Sequence, residues 1–168
     1  ESIPVLEWAR EQDDSWKSSY YLGLIYWNAG RTTEAGQLYT QLEDKPDFAP
    51  FYLTRGELRE QMNESNELIL KDYQKAKQLE PEEWRSWHAL TDHYMKTGAI
   101  ERALDNAEQA YKKFPDRDPI EMGYAKALLA IGDYKSSTEL LGSMHILPYE
   151  GASEGRVLFE RAYSFLAL

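Results

Sequence analysis

Apolar residues recur along the chain at the spacing of an amphipathic helix, and the whole pattern returns with a fixed period of about 34 residues. The period is visible in pairs such as Pro81 and Pro115, or Gly98 and Gly132. In a frame that begins at Trp16, large residues occupy positions 7 and 11, one helical turn apart on one helix face. Small residues recur at positions 20 and 27, where they allow a second helix to pack closely on the first. A fixed period of this length is typical of stacked helical hairpins, each burying its apolar stripe against the next.

Glycine and proline mark where the helices of each hairpin end. Gly30, Gly98 and Gly132 lie at position 15 and are expected to end the first helix in a left-handed backbone conformation. Proline at position 32, as Pro81 and Pro115, cannot continue the second helix. The pattern predicts ten helices and no strand, with the helices at residues 3–12, 16–29, 33–44, 50–62, 66–79, 82–97, 100–113, 119–131, 134–145 and 153–168.

The frame divides the chain into four whole units and two partial ones. Residues 1–15 are the end of a preceding repeat or a cap helix, residues 16–49, 50–83, 84–117 and 118–151 are the repeats, and residues 152–168 are the first helix of a truncated fifth repeat. The second unit departs from the others because Gly56 comes one place early. In that unit Glu60 and Glu64 stand where the first and third units have tyrosine and glycine. We therefore expect its first helix to be shifted or distorted.

The residues at these positions resemble the tetratricopeptide repeat. The third unit matches the pattern of this family best, with Trp87, Leu90, Tyr94, Gly98, Ala103, Ala110 and Pro115. The first unit supplies Leu22, Gly23, Tyr26, Gly30, Ala35 and Tyr39. The resemblance covers residues 16–149 and implies an all-α fold, a right-handed α-α superhelix of stacked helical hairpins (a TPR-like solenoid). It also implies a non-catalytic scaffold for protein–protein interaction, with no metal and no cofactor.

In this family the first helix of each hairpin lines a concave groove, through positions 2, 5, 9 and 12 of the frame. The residues so placed here are the candidate partner-binding residues, namely Lys17, Tyr20, Leu24, Trp27, Phe51, Leu58, Arg85, His88, Asp92, Met95, Met122, Lys126 and Leu129. Lys17, Arg85 and Lys126 outnumber Asp92 in this set, so the groove is expected to be less acidic than the rest of the chain. Aromatic anchors with a few basic contacts favour a peptide or protein segment as the partner.

Composition narrows the class of partner. The 168 residues carry a net charge of −10, and nucleic acid is bound by clustered Lys and Arg, so a nucleic-acid partner is not expected. The chain has no cysteine, which removes disulfides and thiolate chemistry. No apolar run approaches the ~20 residues that cross a bilayer. With no signal peptide visible, a cytoplasmic location is expected by default. Glu1 at the start and the apolar residues 165–168 at the end are expected of a fragment of a larger protein. The stretches at residues 48–58, 81–90 and 147–162 resemble arrays in long bacterial proteins, some with carbohydrate-related domains, which implies a bacterial origin.

Three further interpretations stay open from the sequence. His88 and Asp92 lie one helical turn apart, but a metal site needs three or four ligands, so a surface hydrogen bond is expected instead. The array is alternatively a structural spacer or docking platform within a larger, carbohydrate-active bacterial protein, with its groove covered by another domain of the same polypeptide. The C-terminal helix, with Val157, Leu158 and Phe165, lacks a following helix and is a candidate for self-association with a second copy.

Overall fold

The structure is a computed structural model that describes residues 2–12, 15–143 and 163. Within these residues the chain forms nine α-helices and no strand. The helices are α1 (Ser2–Gln12), α2 (Trp16–Asn28), α3 (Thr32–Leu42), α4 (Ala49–Gln61), α5 (Asn66–Leu79), α6 (Trp84–Lys96), α7 (Ile100–Lys113), α8 (Asp118–Ala130) and α9 (Tyr134–Ser143). Each helix lies within two residues of its predicted bounds where the two can be compared, and the predicted all-α class is confirmed.

Predictions for the end of the chain fall outside the described residues. The helix expected at 153–168, the truncated fifth repeat at 152–168 and self-association through that helix all concern this segment. Tyr163 alone is described there, as an exposed helical residue.

The helices pack as antiparallel neighbours within two compact units, residues 1–81 and residues 82–168. In the first unit α2 pairs with α3 and α4 with α5, while α1 packs on α2. Its core is aromatic, with Tyr20, Tyr39, Phe51 and Tyr52 in ring contact along one cluster. In the second unit α6 pairs with α7 and α8 with α9, and α8 also contacts both α6 and α7.

Three of the four hairpin turns use glycine in the left-handed conformation, as the sequence predicts. Gly30, Gly98 and Gly132 have φ of 77°, 75° and 84°. After each glycine, the next backbone N–H donates to a carbonyl five residues earlier, for example Arg31 to Tyr26 at 2.8 Å. This 6→1 bond satisfies a carbonyl at the end of the first helix and turns the chain into the second.

The second hairpin makes the same turn one residue early. Its left-handed residue is Asn63, with φ of 56°, and the N–H of Glu64 donates to the carbonyl of Arg59 at 2.9 Å. Asn63 follows Gly30 by one residue less than a full period, whereas α5 begins a full period after α3. The first helix of this hairpin, α4, is therefore shifted by one residue along the frame, and the expected shift is confirmed.

The position of two glycines shows that the shifted helix packs as the first helix of the first hairpin does. A Cβ added at Gly23 would lie 2.8 Å from Cζ of Tyr39, and one added at Gly56 would lie 2.7 Å from Cδ1 of Tyr73. Gly56 thus has the same role in α4 as Gly23 has in α2, although it comes one residue short of a full period after Gly23. Each glycine allows its helix backbone to approach a buried tyrosine ring on the second helix of the hairpin.

Because of the shift, a charged pair occupies a core position of the second hairpin. Arg55 in α4 stands where Leu22 stands in α2, and Asp72 in α5 stands where Leu38 stands in α3. Arg55 is 3% exposed and Asp72 is 0% exposed. The guanidinium binds the carboxylate through two hydrogen bonds, from Nε to Oδ2 at 2.9 Å and from Nη2 to Oδ1 at 2.6 Å. This bidentate geometry is the strong form of an Arg–carboxylate contact.

Three further side chains complete this group, which we call the Arg55 cluster (Arg55, Asp72, Asp44, Arg59 and Lys71). Arg55 also donates to Asp44 Oδ1 at 2.7 Å, and Lys71 Nζ donates to the other oxygen of Asp44 at 2.7 Å. Arg59 Nη1 donates to Asp72 Oδ2 at 2.7 Å. The buried charges of Arg55 and Asp72 therefore have several partners, and these contacts offset part of the free-energy cost of removing the charges from water. Sequence reasoning missed this cluster because Arg55 falls on a core position only after the one-residue shift.

The Arg55 cluster gives the stability of the protein a defined acid dependence through Asp44. Hydrogen bonds from Lys71 and then from Arg55 lower the pKa of Asp44 to about 2. A depressed folded-state pKa stabilises the fold fully above the unfolded pKa of about 3.9, and that contribution is lost as the pH falls towards 2. We expect Asp44→Asn to lower the free energy of unfolding at pH 7, with the difference from wild type shrinking between pH 4 and pH 2. Urea titrations at pH 7, 4 and 2 measure this, with the exposed Asp116→Asn as control. A difference that stays constant with pH would contradict it.

Candidate protein-interaction face

The shift of α4 changes which of its side chains reach the groove surface. Phe51 and Leu58, expected there from the unshifted frame, are 0% and 1% exposed and pack in the core. When the one-residue shift of α4 is taken into account, Glu57 and Glu60 of α4 take the positions that Leu24 and Trp27 have in α2. Glu57 is exposed and Glu60 is half-buried. A one-residue shift turns a helix face by about 100°, which is enough to exchange core and surface positions.

Two other candidate residues are also buried. Tyr20 is 6% exposed because its ring lies among Trp16, Tyr39 and Phe48. Met122 in α8 is 8% exposed and packs with Ala125 and Leu141. Their side chains serve mainly as core, so the surface that a partner could touch is smaller than the set drawn from the sequence.

In the first unit the outward side chains of α2 and α4 form one surface, which we call the α2–α4 face. It consists of Lys17, Tyr21, Leu24, Trp27, Leu53, Glu57, Glu60 and Gln61. Side chains of the two helices join at one end of it, where Trp27 Nε1 donates to Gln61 Oε1 at 2.6 Å. Leu24, Trp27 and Leu53 are half-buried, with their inner sides against the aromatic core. Tyr21, which sequence reasoning did not select, is 53% exposed.

The electrostatics of the α2–α4 face differ from the expectation. Lys17 is its one basic residue, while Glu57 and Glu60 are acidic, so this part of the groove surface carries a net negative charge. Glu57 lies close enough to α2 to act on Tyr20. The pKa of that hydroxyl is raised by burial and also by Glu57, against a hydrogen bond with Thr54 that lowers it. The face defined by the structure therefore differs in charge from the set drawn from the sequence, because the shift brings two glutamates outward.

The second unit presents the corresponding surface on α6 and α8. Arg85 is exposed there, and the half-buried candidates are His88, Asp92, Met95, Lys126 and Leu129. His88 Nε2 lies 3.6 Å from Asp92 Oδ2. The other ring nitrogen of His88, Nδ1, is buried and has no hydrogen-bond partner among the described residues. No group of three or more His, Cys, Asp or Glu side chains in residues 2–12 and 15–143 is arranged to hold a metal ion.

Antiparallel hairpins closed by left-handed glycines, with glycine against a buried tyrosine ring, define a helical-repeat protein. A family model described as tetratricopeptide repeat matches residues 1–50, and a second model of the same description matches residues 94–144. The chain belongs to the tetratricopeptide-repeat family. Proteins of this family are generally non-catalytic scaffolds for protein–protein interaction.

Solved structures with the same fold support this assignment. A tetratricopeptide repeat protein from Parabacteroides merdae superposes with a TM-score of 0.79 at 17% identity over 98% of this chain, which spans 65% of that protein's length. A structure of MamA from residue 41 to its end, from Desulfovibrio magneticus RS-1, gives a TM-score of 0.73 at 15% identity, covering 96% of this chain and 84% of that one. YrrB, described as a tetratricopeptide-repeat protein with an unusual peptide-binding site, gives 0.72 at 13% identity, covering 98% and 80%. At these identities the likeness establishes the fold.

No curated protein sequence matches the chain. Across the described residues, no helix combines the length and the apolar character that a membrane span requires.

Proposed function

We propose that this protein is a non-catalytic scaffold that binds a peptide or protein segment along the α2–α4 face. The observation that carries the proposal is the group of large side chains on that face. Tyr21, Leu24, Trp27 and Leu53 present apolar surface beside the polar groups of Glu57 and Gln61. An apolar patch with a polar rim, rich in aromatic residues, is the usual composition of an interaction hot spot.

Two features suit the α2–α4 face to binding a partner. Trp27 is held in place by its hydrogen bond to Gln61, so a partner that packs on the indole need not order it first. Tyr21 adds a second aromatic ring. Its centroid lies 5.2 Å from that of the buried Tyr20, and the two rings are in edge-to-face contact. The printed description of YrrB, a protein of the same fold, names a peptide-binding site and is consistent with this use of the fold.

The α6–α8 surface is a second candidate contact for the same kind of partner. It offers Arg85, His88 and Lys126 beside Met95 and Leu129. It presents fewer aromatic side chains than the α2–α4 face, so we place the main contact on the latter.

Peptide selection on the whole chain tests the proposal. We expect 12-residue peptides selected from a random phage-displayed library to lose at least tenfold in affinity on the double variant Tyr21→Ala/Trp27→Ala, since buried aromatic anchors dominate binding energy. Isothermal titration calorimetry measures the affinity, and circular dichroism with the Tm checks folding. Leu68→Ala, which removes a 40% exposed apolar side chain on α5, is the matched control and should leave binding unchanged.

The single variant Tyr21→Ala guards against loss of fold, because Tyr21 is mostly exposed. If selected peptides bind Tyr21→Ala and the folded double variant as tightly as the wild type, the α2–α4 face is not a binding surface. That result would favour the alternative of a structural spacer within a larger, carbohydrate-active protein.

A further inference from the structure

We propose that the protein has a ligand site apart from the α2–α4 face, a small cavity beside α5 that binds one carboxylate group. The cavity has a volume of about 270 Å³, and its lining includes Asp44, Tyr52, Lys71, Lys75 and Gln78. We call it the α5 cavity. It lies between α5 and the segment that connects α3 to α4, and neither of these takes part in the α2–α4 face. The inference therefore goes beyond the proposed function and does not depend on it.

The α5 cavity lies where α3 ends early. α3 has 11 residues, whereas α5 and α7, which begin one and two periods later, have 14 residues each. The first hairpin therefore lacks the last turn that the other two second helices have. The connecting segment replaces that turn, and the cavity opens where Asp44 of this segment passes α5.

The connecting segment is held in place from α4 and α5. Glu43 has a φ of 53° and a ψ of −130°, which is unfavourable for a residue with a Cβ. Its carbonyl accepts a hydrogen bond from Arg55, and the carbonyl of Asp44 accepts one from the hydroxyl of Tyr52 at 3.1 Å. Lys71 binds the Asp44 carboxylate at 2.7 Å. This wall of the cavity is thus formed before a ligand arrives, which lowers the entropy cost of binding. Backbone strain of this kind concentrates at binding and catalytic sites.

Lys75 is the cation of the α5 cavity that has no counterion. Lys71 is bound to Asp44, whereas Lys75 contacts only the ring of Tyr52, with Nζ 6.0 Å from its centroid, and has no ion pair among the described residues. Gln78 follows Lys75 by three residues, so the two side chains share one face of α5. The Gln78 amide makes no hydrogen bond within the part of the chain that the structure describes. A carboxylate has two acceptor oxygens, one for the ammonium and one for the amide N–H.

The size and charge of the α5 cavity favour a single carboxylate over a doubly charged anion. Its volume is many times the about 10–15 Å³ that one water needs, so a group of several heavy atoms fits. A second negative charge would face Asp44 with no further unpaired ammonium beside it, because Lys71 is already bound to Asp44. The chain carries a net charge of −10, which repels anions at long range. Saturable binding of an anion would therefore report a local site.

A matched pair of small probes tests the inference on the whole chain. N-acetyl-glutamate N-methylamide carries one acidic side chain on a blocked backbone, and the glutamine counterpart has the same shape without the charge. We expect the glutamate probe to give saturable shifts of the Gln78 side-chain amide and of neighbouring α5 amides, and the glutamine probe to bind at least tenfold more weakly. ¹H–¹⁵N correlation spectra recorded up to 50 mM probe, at pH 7 and constant ionic strength, measure both affinities.

Acetate, titrated in the same way, distinguishes two sources of the carboxylate. If acetate binds within threefold of the glutamate probe, the cavity recognises a free small acid. If the glutamate probe binds more tightly than that, the cavity recognises an acidic side chain of a partner protein.

Variants of the cavity locate the binding. We expect Lys75→Gln to weaken the glutamate probe at least tenfold, and Lys75→Arg, which keeps the charge, to change its affinity by less than threefold. Lys135→Gln removes the same charge from an 80% exposed side chain on α9 and should leave binding unchanged. Gln78→Phe, at an exposed position, places a ring at the cavity and should also remove binding, with circular dichroism as the check of folding.

Four results would each overturn the inference. These are the absence of any saturable shift, equal binding of the two probes, equal losses in Lys75→Gln and Lys135→Gln, and tighter binding of inorganic phosphate than of the glutamate probe. None of them bears on the α2–α4 face, which the Tyr21→Ala/Trp27→Ala variant tests separately.

Discussion

Asp72→Ala is expected to destabilise the protein by about 3–5 kcal/mol, the largest effect of any substitution considered for this chain. The variant removes the carboxylate that receives two hydrogen bonds from Arg55 and a third contact from Arg59. Arg55 is 3% exposed, so its charge would remain in the core without its main counterion. Urea unfolding followed by circular dichroism measures the loss.

The first hairpin supplies the control for this experiment. It has Leu22 and Leu38 where the second has Arg55 and Asp72, and both leucines are buried. We therefore expect the double variant Arg55→Leu/Asp72→Leu to recover most of the stability lost by Asp72→Ala, because replacing a whole buried ion pair by apolar residues is often neutral or stabilising. A loss below about 1 kcal/mol for Asp72→Ala, or a double variant no more stable than the single one, would show that the pair is not desolvated as described.

Most of the fold could be predicted from the sequence because glycine and proline residues mark where the helices of each hairpin end. Gly30, Gly98 and Gly132 each take the left-handed conformation expected of a residue without Cβ. The helix bounds follow from these glycines and from the prolines that end the second helices. These effects depend only on nearby residues, so each can be predicted from the sequence of a single hairpin.

The shift of α4 could be suspected from the sequence but its consequences could not be worked out. Gly56 comes one place early, and that signal alone does not show whether the helix moves or merely packs differently. In the structure the helix moves, because Gly56 must face the ring of Tyr73 for the two helices to approach. Once Gly56 is fixed, its neighbour Arg55 has to point into the core, and its partner Asp72 lies 17 residues further along the chain.

The same movement explains why two of the candidate residues do not lie at the surface. Lys17, Leu24 and Trp27 on α2, which keeps the frame, are exposed or half-buried. Phe51 and Leu58 turn inward with α4, and Glu57 turns outward. The buried Arg55–Asp72 pair and the outward position of Glu57 thus have one cause, a helix that fits its hairpin one residue out of register.

Gly56→Ala is therefore expected to lower the free energy of unfolding by about 2 kcal/mol, a large effect for one added methyl group. The added methyl would overlap the buried ring of Tyr73, and overpacking of this kind costs about 3 kcal/mol at the upper end of its range. The better helix propensity of alanine returns up to about 1 kcal/mol. Gly142→Ala in α9 gains the same propensity, and within residues 2–12 and 15–143 no atom would lie within 4 Å of the added methyl, so it should be neutral or slightly stabilising in the same urea assay.

The Gly56→Ala variant also links the packing of α4 to the surface it presents. Tyr73 is 2% exposed and cannot swing into solvent, so α4 has to move away from α5 to make room for the methyl. That movement displaces Glu57, Glu60 and Gln61 relative to α2, and we expect binding of the library-selected peptides to weaken in the folded variant. Unchanged stability together with unchanged binding would mean that the close approach of Gly56 to Tyr73 does not set the register of α4.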